Sequence, residues 1–133
     1  MILLDTHVLV WLDSADPRLG AEAKLAIDEA HHAGELAVSA ISFWEAAMQI
    51  EKGRIQLGIP AHVWRQDLLS AGLREIPVDG EIGLTAATLQ GFHGDPADRL
   101  IASTALLHGA CLLTADGKIL DWSGAVQRQD ARR

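Results

Sequence analysis

Residues 94–116 admit few folds: they read Gly-Asp-Pro-Ala-Asp-Arg-Leu-Ile-Ala-Ser-Thr-Ala-Leu-Leu-His-Gly-Ala-Cys-Leu-Leu-Thr-Ala-Asp. Asp95 stands where a helix N-cap belongs, Pro96 suits the first helical position, and Asp98 falls three residues after the cap. Leu100, Ile101, Thr104, Leu107 and His108 recur at helical spacing until Gly109 supplies a stop. Ala110 to Leu113 is then an apolar run of a length that suits a buried strand. A helix that leads straight into a buried strand is half of a parallel α/β unit. Such sheets bind ligands beyond the carboxyl ends of their strands, and Asp116 falls there.

The rest of the chain repeats this alternation. Short strands are expected at Ile2 to Leu4, Leu36 to Val38, Leu73 to Val78 and, as an edge, Ala125 to Gln127. Helices are expected from Thr6 through Leu12, over Leu19 to Ala33 and Ser39 to Lys52, from Pro60 to Gly72, and over Glu81 to Leu89, with a short turn of helix at Lys118 to Trp122. Arg132 and Arg133 are expected to fray. Strands alternating with helices call for an α/β fold with a mainly parallel sheet of four or five strands, covered on both faces. At 49% hydrophobic content, 133 residues suffice for one domain, 1–133, without a linker.

Composition narrows the setting. The single Cys111 excludes an internal disulfide and fits a reducing compartment. The N-terminus lacks a basic leader and no apolar run approaches a membrane span, so a cytoplasmic protein is expected. Four Trp, with Trp44 and Trp64 on helices already rich in apolar residues, exceed what a small core hides and suggest a homodimer. A net charge of −7 speaks against nucleic acid as a partner, unless acids are gathered to hold divalent cations where a phosphate arrives.

Four acids invite that reading. Asp5 and Asp116 each follow an apolar strand, Asp98 opens a helix, and Glu45 interrupts an apolar helix face. Singly, each has a plain explanation: Asp5 caps a helix, and Glu45 pairs with Arg99. Together they place carboxylates at strand and helix ends that a parallel sheet brings to one rim, where they repel unless protonated or bridged by cations. Oxygen donors suit Mg²⁺, with Mn²⁺ a substitute, and no Cys or His pair at ligand spacing favours zinc. The adjacent His31 and His32 diverge by about 100° on a helix. His93, in the loop before Asp98, could meet a phosphate or donate a proton, although a capping or packing role is commoner. Ions so held can activate water against a phosphodiester, which makes a nuclease the leading function.

The segments Leu-Leu-Asp-Thr-His at 3–7, Val-Ser-Ala-Ile-Ser-Phe-Trp-Glu at 38–45, His-Gly-Asp-Pro-Ala-Asp-Arg-Leu-Ile-Ala at 93–102 and Leu-Leu-Thr-Ala-Asp at 112–116 resemble the PIN domain, in particular the VapC-type toxins of toxin–antitoxin pairs. The resemblance implies a three-layer α/β/α fold and a Mg²⁺-dependent endoribonuclease acting on tRNA or ribosomal RNA loops. It matches Asp5, Glu45, Asp98 and Asp116 to an acidic quartet, Thr6 and Thr114 to supporting hydroxyls, and Asp95 to an additional acid. It also implies a homodimer and a VapB-like antitoxin whose C-terminal segment enters the acidic site. On this reading Asp5, Asp98 and Asp116 ligate the metal, and Glu45 binds it through water or orients the nucleophile. Lys52, Arg54, Arg65 and Arg99 are the available phosphate partners. A receiver domain or a haloacid-dehalogenase-type phosphatase would need a further acid beside Asp5, where Thr6 and His7 stand. The alternative is a non-catalytic RNA- or protein-binding module on the same fold.

Overall fold

The computed structural model describes residues 1–133. Five strands, β1 (Ile2–Leu4), β2 (Leu36–Ser39), β3 (Arg74–Ile76), β4 (Cys111–Thr114) and β5 (Arg128–Asp130), form one sheet in the order β3-β2-β1-β4-β5. Every neighbouring pair is parallel. The helices are α1 (Thr6–Asp13), α2 (Ala21–His32), α3 (Ala40–Glu51), α4 (Ala61–Ser70), α5 (Gly80–Ala87), α6 (Pro96–His108) and the short α7 (Gly117–Leu120). None is long and apolar enough to cross a membrane.

The period of two along each strand sends alternate side chains to opposite faces. Leu3, Ala37 and Leu112 pack with Ile82, Ile101 and Ile119 from α5, α6 and α7. Leu4, Val38 and Leu113 pack with Val8, Ile27 and Trp64 from α1, α2 and α4. These strand residues are fully buried, as a sheet covered on both faces requires. The result is three layers.

The order of strands places a topological switch between β1 and β4, the central pair. Their register opposes Leu4 to Leu113, so Asp5 and Thr114 emerge side by side at the carboxyl rim. The helix ends follow local chemistry: Asp5, Ser39, Asp79, Asp95 and Asp116 cap α1, α3, α5, α6 and α7 with side-chain oxygens. Gly109 ends α6 in the left-handed region, at φ 61°.

Three expectations need correction. The edge strand is Arg128–Asp130, not Ala125 to Gln127, and the apolar Val126 that suggests a strand packs into the α6 side of the core just ahead of it. Its half-buried side chains leave little apolar signal. The last residues are packed, not frayed: the Gly20 amide donates to the Ala131 carbonyl at 2.8 Å and the Ala23 amide to the Arg133 carbonyl at 2.9 Å. These carbonyls serve the N-terminus of α2, whose Gly20 has no capping side chain. The core also hides more Trp than expected. Trp11, Trp64 and Trp122 are buried, Trp64 against Phe43, and only Trp44 stands out, at 57% exposed.

Candidate active site

Asp5 is the buried centre of the rim. Its Oδ1 accepts the Thr6 amide at 2.8 Å, and its Oδ2 accepts the Thr114 hydroxyl at 2.7 Å. The helix-capping role and a place in the acid cluster are thus compatible in one carboxylate: two oxygens offer about four lone-pair sites, and these bonds use two. Thr114 Oγ1 also accepts the Asp116 amide at 3.0 Å, so one hydroxyl ties β1 to the turn after β4.

Glu45 projects from the middle of α3 toward the same point. Thr6 Oγ1 hydrogen-bonds Glu45 Oε1 and lies 2.9 Å from the buried Ser42 Oγ. A hydroxyl has one proton, so with Glu45 ionised Thr6 donates to the carboxylate and accepts from Ser42. The expected pairing of Glu45 with Arg99 is absent. Arg99 instead hydrogen-bonds the carbonyls of Ala86, Leu89, Phe92 and His93 at 2.8–3.2 Å. It is therefore committed to the α5–α6 connection, its donors facing backbone carbonyls.

Asp98, in the first turn of α6, completes two overlapping sets: Asp5, Glu45 and Asp98, and His93, Asp98 and Asp116. Within each set one ligating atom per residue lies within 4.8 Å of the others. The four acids expected from the sequence are thus brought together, with Asp98 shared. Asp95 is exposed and accepts the Asp98 amide at 3.0 Å, which makes it the cap of α6, outside both sets. Lys52 is exposed beyond the end of α3, and Arg65 is paired with Glu75 at 2.6 Å. Arg54 lines the cleft that holds the acids.

Two histidines join the cluster, one of them unforeseen. His93 Nε2 lies 2.7 Å from Asp98 Oδ2, with its ring stacked on Phe92. An ionised carboxylate only accepts, so Nε2 carries a proton, while the buried Nδ1 has no partner within the chain. His7 Nε2 accepts the Ala115 amide at 3.0 Å, which puts its proton on Nδ1, 3.7 Å from Asp5 Oδ2. The spacing His7 to Ala115 has no signature in sequence, and neither does the buried Ser42.

No lysine or arginine forms an ion pair with Asp5, Glu45, Asp98 or Asp116. Burial pushes the Glu45 carboxyl up to about 7, with the charges of Asp5, Asp98 and Asp95 adding to the rise and the Thr6 hydrogen bond opposing it. Burial likewise lifts Asp98 to about 6, opposed by His93 and reinforced by Asp5, Asp95 and Asp116. Crowded carboxylates without cationic side chains, all offering hard oxygen donors, fit a divalent ion.

Residues 2–123 match the family model of the PIN domain. Over 119 residues the chain is 44% identical to Ribonuclease VapC22 of Mycobacterium tuberculosis, covering 89% of this chain and 88% of that protein. Among solved structures, a chain of a toxin–antitoxin complex from Klebsiella pneumoniae is similar with a TM-score of 0.64 at 21% identity, over 98% of each chain. VapBC2 from Rickettsia felis, bound to a DNA fragment from its promoter, is similar with a TM-score of 0.65 at 19% identity, over 97% of this chain and 98% of that one. At those identities the likeness is one of fold.

Proposed function

The chain belongs to the PIN-domain family, and from that membership we propose that it is a Mg²⁺-dependent endoribonuclease, the toxin of a toxin–antitoxin pair. The observation that carries this reading is the set of four carboxylates at the β1/β4 switch point with no lysine or arginine paired to them. Asp5, Asp98 and Asp116 would hold the ion, Mg²⁺ or Mn²⁺. When bound, it supplies charge stabilisation at the scissile phosphate and a more acidic water. Thr114 holds Asp5, and Thr6 holds Glu45 Oε1, which leaves Oε2 to orient the attacking water through a hydrogen bond.

The substrate is structured RNA, a tRNA or ribosomal RNA loop, cut in the cytoplasm so that translation stops, and residues 1–133 act as one domain. The partner is a VapB-like antitoxin, which the toxin–antitoxin structures with this fold support. A basic side chain of its C-terminal segment suits the uncompensated acids. The exposed Trp44 and Met48 of α3 and Val63 of α4 support a homodimer.

The test is induction of the chain in bacterial cells beside its Asp98→Asn variant, with new RNA 5′ ends mapped. Growth arrest and discrete new ends from the intact chain alone are expected. Arrest by both without new ends would show a binding module instead.

A further inference from the structure

The four clustered acids occupy only one end of their cleft, and the further carboxylate on its lining, Asp16, is paired with Arg18. The cleft measures about 490 Å³, far more than hydrated ions fill, and extends away from the clustered carboxylates between α1 and α3. His7, Trp11 and Ser14 line it from one face of α1, one turn apart. On α3, Gln49 lies one turn beyond Glu45 on the same face, and the segment holding Arg54 and Gln56 lines the cleft as well. The residues from His7 to Ser14 span about 10 Å along α1, room for a nucleotide beside the scissile phosphate.

The far end has its own chemistry. Gln49 is half-buried and Gln56 exposed, and neither side-chain amide has a hydrogen-bond partner among the bonds within the chain. Arg18 lies over the Trp11 ring at 4.7 Å but is held by Asp16 at 2.7 Å. Arg54 is the one arginine of this cleft without a carboxylate partner. A cleft with the unpaired acids at one end, an unpaired guanidinium at the other and two free amides on its walls suits a phosphodiester chain with one base turned inward. An amide presents a donor and an acceptor side by side, which is what discriminates base edges in unpaired RNA.

We propose that this end of the cleft is a nucleotide subsite, in which Gln49 and Gln56 select the base adjoining the cut and Arg54 holds its phosphate. The assignment rests on the ribonuclease reading above. Antitoxin residues would be the competing occupant.

The test uses the full chain, Mg²⁺ and an RNA pool randomised across an unpaired loop, with bound and cleaved molecules sequenced separately. The intact chain should prefer one base at one position beside the cut. In Gln49→Ala and Gln56→Ala that preference should fall about tenfold at that position alone. In Arg54→Ala all sequences should bind more weakly, with a shallower dependence on salt. Profiles identical to that of the intact chain in both glutamine variants would overturn the subsite and leave that end of the cleft to a protein partner. Losses spread evenly over all positions would overturn it too. A chain that binds the pool with this preference but never cuts would keep the subsite and sink the nuclease; one that neither binds nor cuts would sink both.

Discussion

Thr114 Oγ1 donates to Asp5 Oδ2 at 2.7 Å across the β1/β4 pair, joining residues 109 positions apart in sequence. Both are buried, and the same hydroxyl accepts the Asp116 amide. Thr114→Val keeps the shape but leaves a buried carboxylate oxygen and an amide each short of a partner. The expected cost is about 1–3 kcal/mol of stability in denaturant unfolding, together with weaker Mn²⁺ binding by calorimetry. Thr114→Ser should recover the metal affinity. If Val and Ser behave alike, the hydroxyl does not organise the site.

What could be read from the sequence were local signals. Asp5 and Asp116 stand out because each follows an apolar strand, and Asp95, Pro96 and Asp98 because caps and first turns favour such residues. Their convergence was legible because parallel strands share one carboxyl rim. Contacts set by tertiary packing were not legible. Charge alone would pair Arg99 with an acid, yet its acceptors are backbone carbonyls, which any residue carries. His7 meets the Ala115 amide and Ser42 meets Thr6 only after β1, β4 and α3 have packed. The edge strand β5 lies three residues beyond the segment that the sequence suggests, because half-buried side chains and backbone pairing demand little apolar patterning.

His93 braces Asp98, and Arg99 in turn holds the His93 carbonyl at 3.2 Å. His93→Ala should therefore weaken divalent-ion binding about tenfold while leaving the core packed. His93→Gln, whose amide nitrogen can reach the same oxygen, should retain most of the affinity. Titration of the three proteins with Mn²⁺ checks this, and equal affinity in all three would show that Asp98 needs no brace.

Gly20 lies against the end of the chain. A Cβ built there falls 2.1 Å from the backbone carbon of Arg133. Gly20→Ala must push residues 131–133 away and break the two bonds that serve the start of α2. A loss of about 1–3 kcal/mol is expected, measured as a lowered urea midpoint. Unchanged stability would mean that this terminal packing contributes nothing.

The acid cluster also sets how stability and ion binding respond to pH. Burial raises Glu45 from 4.5 to about 7 and Asp98 from 3.8 to about 6, so between pH 4 and 7 the metal-free fold binds more protons at these groups than the unfolded chain does. Their contribution is present below their ordinary values and is lost as pH rises through about 6 and 7. A divalent ion needs the ionised carboxylates, so its affinity rises over the same range, and with it the stabilisation that it brings. The metal-free Tm should fall between pH 5 and 8 while the increment from Mg²⁺ grows. In Glu45→Gln the metal-free fall should shrink, since that variant removes the carboxyl that burial raises to about 7. A metal-free Tm that responds to pH identically in the intact chain and in Glu45→Gln would show that burial does not raise the Glu45 carboxyl.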